Sequence, residues 1–127
     1  MQNFASDNNI SCLTFEHMNY KDELNEEQIR AVENIDGSSM VIAGAGSGKT
    51  RVLTYRIAHM INSDIDAFNI LALTFTNKAA REMKSRIARI VGGSEAKNLW
   101  MGTFHSVFAK ILRFEADRLG YPSNFTI

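Results

Sequence analysis

A single cysteine, Cys12, occurs in the 127-residue chain, which excludes an intramolecular disulfide framework. Net charge is lacking too: 14 lysines and arginines balance 14 aspartates and glutamates. No global basic field therefore announces a nucleic-acid binder, and any such contact has to be local. No apolar run approaches the ~18 residues of a membrane span. The opening stretch MQNFASDNNISC has neither the basic nor the apolar region of a signal peptide. These absences point to a cytoplasmic protein with no membrane partner. Cys12 lies in a polar segment, so an incidental thiol is expected there rather than a nucleophile. His17 and His59 have no clustered partners, and no metal-ligand set is read from them.

What is present is an ordinary globular composition, 45% hydrophobic and 22% charged, enough for one domain or part of one. Residues 1–20 are polar and aperiodic and read as a flexible tail, leaving 21–127 to carry the fold. Asn25 is a good N-cap for a helix that ends near Asp36-Gly37, with Ile29 and Val32 at helical spacing. Ser39 to Ala43 is short, apolar and partly β-branched, and reads as a buried strand. Lys49 to Asn62 follows as a helix, with Val52, Leu53, Ile57, Met60 and Ile61 as its apolar positions.

Ile70 to Thr76 (ILALTFT) reads as a second strand, and Asn77 to Val91 as a helix closed by Gly92-Gly93. Leu99 to Phe104 reads as a third strand. Ser106 to Leu119 reads as a third long helix, stopped by Gly120 and Pro122. NFTI at the end has the composition of another strand start. Strands alternating with helices of this length predict parallel βαβ units with right-handed crossovers.

One stretch, VIAGAGSGKTRVL from Val41 to Leu53, carries specific chemistry. A strand, a tight glycine loop and Gly-Lys-Thr at a helix start form the P-loop arrangement. Successive backbone N–H groups curl around phosphates, and the helix N-terminus adds its partial positive charge. Glycine tolerates backbone angles that a Cβ forbids and lets phosphate oxygens approach closely. Residues Ala43, Gly44, Ala45, Gly46, Ser47 and Gly48 would form the cradle. Lys49 would reach the β- and γ-phosphates of ATP, and the Thr50 hydroxyl would join the shell of a Mg²⁺ delivered with the nucleotide. The strict pattern wants glycine at position 43, where this chain has alanine. The dinucleotide fingerprint does not fit, because Lys49 stands where its third glycine belongs.

Three further segments accompany this loop: LNEEQIRAV before it, and ILALTFTNKAAREMKSRI and GTFHS after it. Together with AGAGSGKTR they resemble, in order and spacing, the first motifs of UvrD/Rep/PcrA-like superfamily 1 DNA helicases. The resemblance covers about Leu24 to the C-terminus. It implies a three-layer α/β/α P-loop NTPase fold of the RecA-like kind with a parallel sheet, here truncated, and the remainder of the motor as partner.

The resemblance also implies roles. Gln28 would read the adenine edge, since a carboxamide donates and accepts at once. Read from spacing alone, Asn25 and Gln28 form a capping box instead. Arg51 would pack near base and phosphates, or else is a solvated helix residue.

Thr74, Phe75, Thr76, Asn77 and Lys78 match the first DNA-contacting motif. There Phe75 would stack on an unstacked base of single-stranded DNA, an interaction that ignores sequence. Otherwise Phe75 is a core residue of a buried strand. Lys78 and Arg81 add local charge or are merely solvated. Thr103, His105 and Ser106 resemble the next motif, which holds the DNA backbone; a lone histidine is otherwise a capping or buried neutral residue.

The family's apolar strand ending in Asp-Glu is absent from these residues. That motif anchors Mg²⁺ and orients the attacking water, and without it hydrolysis is expected to be nearly lost. The chain therefore reads as the front end of an ATP-dependent 3′→5′ DNA helicase or translocase acting on single-stranded and duplex DNA. The alternative is a non-catalytic module that binds nucleotide or single-stranded DNA. A small P-loop kinase would need a lid and further arginines that are not evident. Met18 is a candidate natural start, and an incomplete parallel sheet would leave an open strand edge prone to self-association.

Overall fold

Tyr20 is the first described residue: the computed structural model describes residues 20–122 and 124–126. Residues 1–19 of the expected tail, with Cys12, His17 and Met18, lie outside them, as does the terminal Ile127 of NFTI; the tail's last residue, Tyr20, instead opens a helical turn. The chain divides into two units, the first running to Ser63 and the second starting at Asp64.

The first unit is helical among its described residues. A single turn, α1 (Tyr20–Glu23), leads into α2 (Glu26–Glu33). Asn25 caps α2 in a complete capping box: its side chain accepts from Gln28 N, and the Gln28 side chain accepts from Asn25 N. Helix α3 (Lys49–Asn62) packs against them. Leu24, Val32, Val52, Tyr55, Ile57 and Ala58 are buried, Val32 completely. Leu53, Met60 and Ile61 are only half-buried, so the buried face of α3 turns toward Thr54, Tyr55 and Ala58.

Polar ties complete the unit. Arg56 donates to the Ala31 carbonyl at 2.6 Å, and Tyr55 donates its hydroxyl proton to Glu23 at 2.7 Å. Lys21 pairs with Glu33 at 3.0 Å. The Tyr20 ring lies 5.9 Å from that of Tyr55 and 6.0 Å from that of His59.

The strand expected at residues 39–43 does not form. The segment is irregular, and Met40, Val41 and Ile42 are 84%, 55% and 91% exposed. A strand forms only with a ladder partner, and the described residues of this helical unit contain none, so the exposed backbone here is left to water. Helix α2 also stops at Glu33, earlier than Asp36-Gly37 suggests; Asn34 leaves helical geometry while its N–H still reaches the Arg30 carbonyl.

The second unit holds the sheet. Asp66 accepts from Phe68 N and starts a 3-10 turn, Ala67–Asn69, before β1 (Leu71–Thr74). Helix α4 (Asn77–Val91) is capped by Thr76 and buries Met83, Ile87 and Val91, one residue every four along a single face. Gly92 ends α4 at φ +91°. Gly93, expected to share that role, instead opens α5 (Gly93–Asn98), whose Ala96 is buried. Strand β2 (Trp100–Thr103) pairs in parallel with β1, Leu71 beside Trp100 through Thr74 beside Thr103.

Helix α6 (Phe104–Phe114) begins two residues before the expected start, because Thr103 caps it by accepting from Ser106 N. A 3-10 segment, Ala116–Leu119, ends at Gly120. A two-stranded parallel sheet with its crossover helix is the whole ladder among the described residues. Gly102 lets β2 pass the start of α6: a Cβ there would sit 2.8 Å from Ser106 Oγ and 3.0 Å from Val107 Cγ2.

Candidate functional site

In the first unit the glycine loop curls into α3. Gly46 and Gly48 take φ of +76° and +83°, a region that favours glycine. Ser47 donates both its N–H and its hydroxyl to the Gly44 carbonyl, at 3.4 and 2.7 Å. Lys49 folds back over the loop, with Nζ donating to the Ala43 and Gly44 carbonyls at 2.9 and 2.6 Å. The first helical bond of α3 runs from Val52 N to Gly48 O at 3.0 Å. The amides of Lys49, Thr50 and Arg51 thus precede the helical ladder.

Among the described residues no side-chain cap closes this end of α3, whose N-cap is Gly48, whereas Asn25, Thr76 and Thr103 cap α2, α4 and α6. A helix start with open amides, a left-handed glycine entry and an adjacent ammonium can hold an anion. Thr50 is exposed in the first turn, available to a cation carried by such an anion.

Gln28 is half-buried and its amide is used at both ends: Oε1 accepts from Asn25 N at 3.0 Å, and Nε2 donates to the Ser47 carbonyl at 3.0 Å. Arg51 is exposed one turn from Tyr55. A cleft of about 460 Å³ beside the loop is lined by residues that include Val41, Lys49, Val52 and Arg56; Gln28 and Arg51 do not line it.

In the second unit, parallel pairing brings the two expected DNA segments to neighbouring strand ends, with Thr74 beside Thr103. Phe75 is 90% exposed at the end of β1, so it is not a core residue. Thr76 is taken up as the cap of α4, accepting from Ala79 N at 3.1 Å, and Asn77 and Lys78 are exposed in the first turn.

Thr74 is buried, and its hydroxyl lies 3.1 Å from the Thr76 carbonyl and 3.4 Å from that of Gly102. Thr103 is buried as well, and its hydroxyl and that of Ser106 bond each other at 3.0 Å. Ser106 Oγ also reaches the Thr103 carbonyl at 3.0 Å. His105 is exposed at the start of α6.

Comparison with known proteins decides the family. Residues 24–127 match the UvrD/REP helicase N-terminal domain. The chain belongs to the UvrD/REP helicase family. Two relatives named ATP-dependent DNA helicase PcrA, from Staphylococcus epidermidis and Staphylococcus aureus, are 55% and 54% identical to it over 105 residues. That aligned stretch is 82% of this chain and 14% of each relative. Among the described residues of this family member, no helix is long and apolar enough to cross a membrane, and no group of three or more histidine, cysteine, aspartate or glutamate side chains is placed to hold a metal ion.

Two features escaped sequence reasoning. Phe104, 50% exposed, follows β2 as Phe75 follows β1, and its ring stacks on Phe108 at 6.3 Å. The available signal was the repeated Thr-Phe at both strand ends. The bond from Gln28 to Ser47 spans 19 residues without periodicity, and nothing in the sequence announces it.

Proposed function

We propose that this chain is the nucleotide-binding front end of an ATP-dependent DNA helicase or translocase, built on a RecA-like P-loop domain and moving 3′→5′ along single strands. The observation that carries the reading is the start of α3: a curled glycine loop, a helix end without a side-chain cap, and Lys49 lying across the loop carbonyls. In this reading the amides from Ala43 to Thr50 hold the triphosphate tail of ATP. Lys49 exchanges its two carbonyl partners for the β- and γ-phosphates. The exposed Thr50 hydroxyl fits a Mg²⁺ shell, whose remaining ligands would be phosphate oxygens and water; the ion would supply charge neutralisation between the phosphates. Gln28 and Arg51 serve the base end. Phe75 offers its face to an unstacked base, and Asn77, Lys78 and His105 lie beside the strand ends to hold phosphates, while Thr74, Thr76, Thr103 and Ser106 shape the backbone there.

Strands β1 and β2 end in Thr74 and Thr103, and neither runs into paired carboxylates. These 127 residues by themselves are therefore expected to bind nucleotide with little turnover. The remaining parts of the motor, including the acidic motif, would come from elsewhere in a parent of the relatives' size. The non-catalytic module remains the second reading on the same ground.

Calorimetric titration of the chain with Mg-ATP tests the assignment. Saturable binding that Lys49→Ala removes is expected. Equal binding by wild type and Lys49→Ala overturns it.

A further inference from the structure

We propose that Gln28 is a positioning residue for the phosphate loop, apart from any base it reads. The proposal rests on the reading of that loop as a triphosphate site. A glutamine that served only as a cap would accept from Asn25 N and leave its Nε2 to solvent. Here Nε2 donates to the Ser47 carbonyl at 3.0 Å, while Oε1 accepts from Asn25 N at 3.0 Å and Gln28 N donates to Asn25 Oδ1 at 2.9 Å. One amide therefore joins the first turn of α2 to the last turn of the loop.

The consequence follows from peptide geometry. The Ser47 carbonyl and the Gly48 N–H belong to one planar trans unit, so they point in opposite directions. Fixing the carbonyl toward Gln28 aims the Gly48 N–H away from Gln28, toward the opposite face of the loop. Gly48 itself, at φ +83°, packs on the same amide: a Cβ there would meet Gln28 Nε2 at 3.1 Å. Glycine fixes the path of the loop, and the Gln28 amide fixes the roll of the peptide plane. Rotation of that plane would turn a phosphate donor out of the cup before any nucleotide arrived.

The test uses the 127-residue chain and two neutral substitutions. Gln28→Met keeps length and charge but removes the amide. Asn25→Ala removes the partner cap and leaves the Gln28–Ser47 bond. Each is titrated with Mg-tripolyphosphate, which has no base, and with Mg-ATP, and the Gly48 amide resonance is followed by NMR without ligand. Gln28→Met is expected to weaken Mg-tripolyphosphate about three- to tenfold, the effect of one lost hydrogen bond, and to shift the Gly48 resonance. Asn25→Ala should stay within about twofold on tripolyphosphate.

Gln28→Met that binds tripolyphosphate like wild type and loses affinity for Mg-ATP alone makes Gln28 a base reader only and overturns the proposal. Equal losses in both variants assign the effect to the cap and overturn it as well. A wild-type chain that binds neither ligand sinks the phosphate-loop reading and the proposal with it. Should circular dichroism show the methionine variant unfolded, Gln28→Asn, a neutral amide one methylene shorter, has to weaken Mg-tripolyphosphate about three- to tenfold and shift the Gly48 resonance, or the proposal fails.

Discussion

Thr74 and Thr103 are register partners at the C-terminal ends of the two parallel strands, and each is followed at once by an exposed phenylalanine. Both threonine hydroxyls are used inside the protein, on the Thr76 and Gly102 carbonyls for one and in the α6 cap for the other. What these strand ends present outward is therefore aromatic surface rather than hydroxyl groups.

That arrangement makes the Phe75 ring the testable element. At 90% exposure it contributes almost nothing to the core, so Phe75→Ala should leave unfolding free energy within about 0.5 kcal/mol of wild type. Stacking on a base is worth about 1–3 kcal/mol, so affinity for oligo-dT should fall at least about fivefold. Fluorescence anisotropy with labelled oligo-dT, beside a urea titration of the same sample, checks both halves. Unchanged DNA affinity would remove the stacking role.

Lys49→Ala separates binding from folding in the first unit. The side chain is exposed and its partners are loop carbonyls, which water can serve equally well in the variant. The unfolding midpoint should hardly move. Charge-assisted hydrogen bonds are worth about 1.5–3 kcal/mol, so affinity for Mg-ATP should drop by more than about tenfold. Thermal unfolding with and without Mg-ATP reads both effects: the ligand-induced rise seen in wild type should vanish in the variant.

How much of this was legible beforehand depended on where the stabilising partner sits. Helix α4 was readable because its signals are local, apolar residues at helical spacing that include Met83, Ile87 and Val91 and the Gly92 stop, although Thr76, read as the end of the strand before it, turns out to be its cap. Strands β1 and β2 were readable from short apolar runs, and they pair with each other. Residues 39–43 carry the same kind of run and stay irregular, since a strand depends on a ladder partner that composition cannot supply. Gly93 was misread because two adjacent glycines look like one stop; Ser94, Glu95, Ala96 and Lys97 nonetheless sustain a short helix that buries Ala96. At the candidate site, the glycine loop and Lys49 were legible as a motif, whereas the Gln28–Ser47 bond is a contact between distant positions and could be seen only in three dimensions.

Gly102 yields a prediction about packing. An alanine methyl there would press on Ser106 Oγ and Val107 Cγ2, at 2.8 and 3.0 Å. Overpacking of this sort costs about 1–3 kcal/mol. Gly102→Ala should therefore lower stability by that amount in urea unfolding. Ser106→Ala deletes the nearer atom, so the double variant should lose less than the sum of the single changes. Additivity of the two losses would show that the clash with Ser106 is not the cause.

The last prediction concerns alkaline pH and the tie between α1 and α3. Burial, helped by the hydrogen bond to Glu23 and its negative charge, pushes the Tyr55 phenol up to about 12. In the unfolded chain the same group ionises near 10. The folded state therefore keeps a proton that the unfolded state has released, and this contribution is fully present below about pH 10 and is lost as pH rises toward 12. Tyr20 is shifted the same way, first by burial and then by the Glu33 carboxylate, so it adds a slope of the same sign. Tyr55→Phe removes the larger component and leaves the Tyr20 slope in place. At neutral pH the variant should be less stable by about 1 kcal/mol, one net hydrogen bond. Between about pH 9.5 and 11.5 its unfolding free energy should fall less steeply than that of wild type, as measured by urea unfolding at fixed ionic strength. Parallel curves would mean that Tyr55 ionises in the folded protein as readily as in the unfolded chain.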